Sequence, residues 1–180
     1  MRWAIWNWGR GRQVALLVVA LLCLGLQACG SPPAPNLPSG VYTSQAYGFK
    51  VSYPTGWEAN ALTAQSSAPL ILIITRSAAR SAPASLVSTF TLDVLSLKDA
   101  SIAKSAGLLA TDTALAHITL AGQRAYRDTP ITQATAGGGS VTHTDYYVIH
   151  GGYEYQISTD TVSGDAPAIQ GIVNSFTLLG

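Results

Sequence analysis

Tyr47-Gly48-Phe49-Lys50-Val51-Ser52-Tyr53-Pro54 reads as a β-strand with a stop at its end. Phe49, Val51 and Tyr53 alternate with Lys50 and Ser52, the period-two pattern of a strand with one buried face. Pro54 cannot donate to a ladder and ends the run. Thr55-Gly56 then turns the chain ahead of Trp57.

The same reading extends toward the C-terminus. Leu70 to Ile74 is a continuous apolar run after Pro69, too short for a helix and suited to a strand covered on both faces. Leu86 to Leu95 alternates again, with Phe90, Leu92 and Val94 on one side and Thr89, Thr91 and Asp93 on the other. Ser96-Leu97-Lys98-Asp99 has capping-box spacing ahead of a helix from about Asp99 to Leu109, with Ile102, Ala106 and Leu109 on one face. Strands then follow at Ala114 to Leu120, Arg124 to Gln133, Val141 to Ile149 and Tyr153 to Thr159. Gly122, Gly137-Gly138-Gly139 and Gly151-Gly152 supply the turns. In the last strand Tyr153, Tyr155 and Ile157 point to the core, while Glu154, Gln156 and Ser158 face out or toward polar neighbours. Asp165 caps a closing helix with Pro167 in its first turn. Ile169, Ile172, Val173 and Phe176 form its apolar stripe. Consecutive hairpins with one helix mid-chain and one at the end predict an α+β fold, helices packed on an antiparallel β-sheet.

Several of these pieces resemble the PsbP-like domain, a fold shared with mycobacterial lipoproteins of the LpqN type. They are Tyr47 to Pro54, Gly56-Trp57, Gly122-Gln123-Arg124-Ala125-Tyr126, Tyr153 to Ile157, and Ile172-Val173-Asn174-Ser175-Phe176. The resemblance covers most of residues 42 to 178. It implies an α–β–α sandwich and a non-enzymatic accessory or binding module. The matched positions are core and turn residues, so no site carries over. Photosynthetic members bind photosystem II, and nothing in this chain ties it to that role.

Leu26-Gln27-Ala28-Cys29 ends an apolar run from Val14, which is preceded by Arg2, Arg10 and Arg12. The run has the length of a signal-peptide core and falls short of the ~20 residues a spanning helix needs. The order resembles the lipobox of a bacterial lipoprotein, although Gln27 departs from the usual residue there. That resemblance implies a signal peptide over residues 1–28, cleavage before Cys29, and diacylglyceryl attachment to its thiol. An uncleaved signal anchor with an incidental cysteine is the alternative. Gly30 stands where Asp would suggest inner-membrane retention, so the expected location is the cell envelope, outside the cytoplasm, on the outer membrane if the host has one. Residues 29–40 hold the lipidated cysteine and a tether. Four prolines between Ser31 and Gly40 favour an extended arm of up to ~30 Å. Residues 41–180 form the folded domain.

Composition narrows the rest. Of 180 residues, 28 would be removed, leaving 152, one domain by length. Three of the ten Lys+Arg residues lie in the removed segment, leaving seven against nine Asp+Glu, near −2. Without a basic stripe, nucleic acid is not an expected partner. Cys23 and Cys29 are the only cysteines, so the domain has no thiol for catalysis or for a disulfide.

His143 and Asp145 share a strand face, with His117 and His150 on other strands. A His-x-Asp pair is chemistry for a zinc ligand or an oriented imidazole. No further ligands follow at a recognisable spacing, so a polar sheet face is expected and no metal. Gly137 to Ser140 lacks the Lys-Ser/Thr of a phosphate loop, and no Gly-x-Ser-x-Gly elbow is present. Neither a cofactor nor a catalytic residue is read. Tyr126, Tyr146, Tyr147, Tyr153 and Tyr155 cluster on the last hairpins. Some are core rings, and those facing out are candidates for a ligand or partner surface. Arg124 and Arg127, with Asp128, are candidates for an anion or partner site, or a solvated edge that discourages strand addition. The expectation is a lipid-anchored accessory protein engaging another envelope component, with a carrier of a small apolar or glycan ligand as the alternative.

Overall fold

The computed structural model describes residues 40–65, 68–76, 87–135 and 138–179. The expected lipobox with Cys29, the expected proline-rich tether to Ser39, and the expected strand start at Leu86 lie outside the described residues. Two antiparallel sheets are built from β1 (Gly40–Ser44), β2 (Phe49–Tyr53), β3 (Trp57–Gln65), β4 (Ala68–Arg76), β5 (Thr89–Ser96), β6 (Ala116–Leu120), β7 (Gln123–Arg127), β8 (Ile131–Ala134), β9 (Ser140–His150), β10 (Tyr153–Val162) and β11 (Thr177–Leu178). Helix α1 (Ala100–Leu109) follows β5, and α2 (Ala166–Ser175) follows β10 after a 3₁₀ turn at Ser163–Asp165. The class is α+β.

The small sheet has the order β1-β2-β11. The large one runs β3-β4-β5-β10-β9-β7-β6, with β8 pairing the first half of β9. Strands β5 and β6 are separated by four antiparallel steps and therefore run parallel. The segment containing α1 is the crossover that such a pair requires.

One face of the large sheet is dry. Leu70, Leu72 and Ile74 of β4, Phe90, Leu92 and Val94 of β5, Ile157 of β10 and Val148 of β9 meet Phe49 and Val51 of β2 and the stripe Ile169, Ile172 and Val173 of α2. Phe176, just past the helix, closes the layer. Its ring centroid lies 5.9 Å from that of Phe49 and 5.8 Å from that of Tyr155. Ser175 pins the helix end to β2: its hydroxyl accepts from the Ser52 N–H at 2.8 Å and lies 2.9 Å from the Ser52 carbonyl. Helix α1 is bound less tightly. Ala106 is its one buried residue and stands outside the main core cluster.

The structure corrects several sequence expectations. The run from Arg124 to Gln133 is two strands, because Asp128-Thr129-Pro130 breaks the ladder and Pro130 has no N–H to give. Asp99, not Ser96, caps α1, its carboxylate accepting from Ser101 N at 2.8 Å and Ile102 N at 3.4 Å. Asp165 occupies the N-cap position of α2 but makes no capping bond. Its carboxylate takes the guanidinium of Arg76 at 2.8 Å instead. Strand β4 is fully buried on one face only, with Ile71 and Ile73 partly exposed on the other. Three strands, β1, β3 and the two-residue β11, appear where no strand was read. Both β9 and β10 extend past their expected ends.

Turn geometry follows from φ. Gly151 and Gly152 (φ 58° and 83°) join β9 to β10 in a two-residue turn of the kind that matches strand twist. Ala121 and Gly122 (φ 52° and 74°) do the same between β6 and β7, where Ala121 bears the strain that a glycine avoids.

Candidate functional site

The five candidate tyrosines divide between the two faces of the large sheet. Tyr146 and Tyr155 belong to the dry face and are 8% and 1% exposed, and Tyr153 packs partly buried at its margin. Burial raises the pKa of both Tyr146 and Tyr155. Tyr126 and Tyr147 sit opposite each other in register on the other face. There Tyr126 meets the edge of His117 at 5.2 Å, Arg124 lies 5.6 Å over its ring, and the Arg124 guanidinium reaches His117 Nδ1 at 3.1 Å. Arg127 pairs in register with Tyr146, and its buried Nε has no hydrogen-bond partner. Thus Arg124 and Arg127 do not converge. Cys29 lies outside the described residues.

One end of the domain carries a cleft of about 290 Å³. The turn of residues 45–48 and the β9–β10 turn form its sides. Tyr47 and Tyr153 stand perpendicular, at 89° with centroids 5.6 Å apart, and make an aromatic corner. Tyr155 lies at the base and donates its hydroxyl to the Tyr47 carbonyl at 2.7 Å. Gln45, His150 and Leu179 complete the wall, and the Leu179 N–H donates to the Gly48 carbonyl at 2.7 Å, which ties the chain end to this turn. Among the described residues no Asp, Glu, Lys or Arg lines the cleft. The sequence named Tyr153 and Tyr155 for this role but not Gln45 or Tyr47. No local pattern links them to a hairpin more than a hundred residues on.

A second cluster lies on the polar face. His143 is held between two carboxylates, Nδ1 to Asp160 Oδ1 at 2.8 Å and Nε2 to Asp145 Oδ2 at 3.2 Å. Ser158 donates to Asp145 Oδ1 at 2.5 Å and Thr89 to Asp160 Oδ2 at 3.3 Å. The serine reaches a carboxylate and not the imidazole, so the order of a nucleophilic triad is absent here. Among the described residues no group of three or more His, Cys, Asp and Glu has the arrangement of a metal site. What this geometry does is hold a proton. The Asp160 hydrogen bond is the largest cause and raises the His143 pKa; burial opposes it, and the Asp145 charge and hydrogen bond add to the rise. A raised folded pKa means that the imidazolium contributes stability below the ordinary histidine range, and that the contribution is lost as pH rises through the folded pKa. His143→Gln is therefore expected to destabilise at pH 5 by about 1 kcal/mol or less, since the ring is 44% exposed, and to converge with the parent by pH 9. Urea midpoints at the two pH values check this, and an equal loss at both would rule out the imidazolium as its source.

The fold thus defines an α+β module whose large antiparallel sheet carries a helix and a three-stranded sheet on its dry face. No family model and no curated protein matches the chain. Among solved structures it is similar to a protein of Bacteroides thetaiotaomicron, at a TM-score of 0.52 and 10% identity over 80% of this chain and 50% of that one. This is a likeness of fold alone, and the chain spans half the length of that protein. It is also similar to LpqN of Mycobacterium tuberculosis, described as involved in cell envelope biogenesis (TM-score 0.44, 18% identity, 78% and 90% covered). A third is the cyanobacterial PsbP, CyanoP, of Synechocystis (TM-score 0.44, 11% identity, 86% and 99% covered).

Proposed function

We propose that this chain is a lipid-anchored extracytoplasmic accessory protein, non-enzymatic, whose domain engages another component of the cell envelope. The observation that carries the reading is the order of the N-terminus: arginines, a short apolar run, Ala28-Cys29, then a proline-rich arm leading into a folded domain. One acyl chain binds a bilayer only marginally, with a constant of about 10⁴ M⁻¹. Two or more chains, at ~0.8 kcal/mol per buried CH₂, make the attachment effectively permanent. Among the described residues no helix is long and apolar enough to cross a membrane.

Cys29→Ser is expected to abolish labelling by radioactive fatty acid and to leave an unprocessed precursor, because the thiol that takes the lipid is gone. Equal labelling of the mutant would remove the anchor. Capture of the tagged chain from detergent-solubilised membranes tests the rest: a stable protein partner supports the accessory role. The second reading, a carrier of a small ligand, is favoured by the cleft at Tyr47 and Tyr153. Small molecules co-purifying without a protein partner would support it.

A further inference from the structure

We propose that the cleft between the residue 45–48 turn and the β9–β10 turn is a subsite for a single neutral sugar residue. This rests on the second reading above and names the ligand class of that site.

Among the described residues no Asp, Glu, Lys or Arg stands in the lining, so none of these side chains is there to select an anion or a cation. The volume, about 290 Å³, lies at the small end of ligand sites and suits one ring rather than an acyl chain. The cleft is open, which suits the end or a branch of a longer glycan.

The surfaces match a pyranose on both of its characters. A sugar ring presents an apolar C–H face and a rim of hydroxyls, each of which donates and accepts. Tyr47 and Tyr153 both line the cleft and are only partly buried. They meet at 89°, Tyr153 also meets Tyr155 at 6.4 Å and 63°, and the exposed part of this aromatic corner is an apolar surface against which the C–H face of a sugar can pack. Around this corner the Gln45 amide offers two donors and an acceptor, and His150 offers a donor and an acceptor when neutral. The cleft is also fixed in shape. The Tyr155 hydroxyl holds the Tyr47 backbone and the Leu179 N–H holds Gly48, so binding orders little of the chain.

The test uses the full chain in a detergent that carries no sugar headgroup, with methyl glucoside, methyl galactoside, methyl mannoside and N-acetylglucosamine as probes in saturation-transfer NMR. At least one is expected to bind with a Kd on the order of 1 mM, the range for a ligand this small. Tyr153→Ala is expected to weaken it by about tenfold or more. Tyr153 also touches the core, so Gln45→Ala is the second variant: Gln45 is exposed and outside the core, and its loss should weaken binding several-fold with no change in Tm. Glucuronate and glucose 6-phosphate should bind no better than their neutral parents. Vesicles bearing a neutral glycosyl diacylglycerol, set against soluble glycan fragments, separate a lipid-borne sugar from a polymer. No transfer from any neutral probe would overturn the proposal, as would binding unaffected by both variants or a preference for the charged sugars. A co-purified fatty acid without sugar binding would also overturn it while leaving the carrier reading in place.

Discussion

Phe176→Ala is expected to lower domain stability by about 3–5 kcal/mol, out of a total of roughly 5–15 kcal/mol for a domain of this size. Phe176 is 1% exposed and makes ring contacts with both Phe49 and Tyr155, which themselves pack at 6.1 Å. The three rings come from the end of α2, from β2 and from β10. The cavity left by alanine would sit where the helix, the small sheet and the large sheet meet. The walls are fixed by the Ser175–Ser52 bonds and by the β2–β11 pairing, so little collapse is open to them. Gln170→Ala on the same helix is the control. Gln170 is exposed and its amide donates only to Asn174, so its loss should stay within about 0.5 kcal/mol. Denaturant midpoints of the two variants compare them directly. Similar small shifts would mean that α2 does not carry the core as its burial says.

The helix stripe behind that expectation was legible in the sequence, because Ile169, Ile172, Val173 and Phe176 recur at helical spacing and the structure buries all four. The strands at Phe49, Phe90 and Tyr155 were legible for the same reason, one face being dry. Strand β3 was not. Its residues Trp57-Glu58-Ala59-Asn60-Ala61-Leu62 hold few strand formers, and as the edge of the sheet it is exposed along most of its length, Leu62 by 53%. An edge strand is defined by the ladder it joins and leaves little mark in its own hydrophobic pattern. The break at Pro130 was readable, since proline has no N–H to give to a ladder, but the sequence reading ran a single strand through it. The β5–β10 pairing, which joins the two halves of the large sheet, brings Leu92 beside Ile157. Only the fold supplies such a contact.

The candidate site was legible in composition and not in arrangement. The sequence shows that tyrosines are concentrated on the last hairpins. Alternation then assigns Tyr153 and Tyr155 to one face and Tyr147 to the other, given the register with Val148 and Gln156. What it cannot give is the second wall of the cleft, since Tyr47 arrives from a separate sheet. His143 and Asp145 were read as face-mates, but Asp160 joins them only through the β9–β10 ladder, where it sits directly opposite His143. That one cross-strand step turns a solvated pair into a proton-holding cluster.

Glu154 carries the second large effect. Alternation places it with Gln156 and Ser158 on the polar face, yet it is only 5% exposed, between Leu95 of β5 and Ile149 of β9, and its Oε2 has no hydrogen-bond partner. Burial raises its pKa above the ordinary glutamate range. The folded state therefore keeps a proton that the unfolded state releases. Stability from this group is intact below about pH 4, the ordinary range, falls as pH rises toward the folded pKa, and is flat above it. Replacing the carboxyl by an apolar chain of similar length removes the penalty. Glu154→Met is expected to raise stability at pH 8 by about 1–3 kcal/mol, the cost of a buried polar group left unpaired, and to change it far less at pH 4. His143 also loses stability with rising pH, but its loss begins near pH 6.5, so the two are separable by window and by repeating the series in His143→Gln. Urea midpoints from pH 4 to pH 8 give the curve. If Glu154→Met were less stable than the parent at both ends, the carboxylate would have to be held by a partner on the protein, and the polar face would be an ion-paired surface around Glu154 rather than one bearing a buried acid.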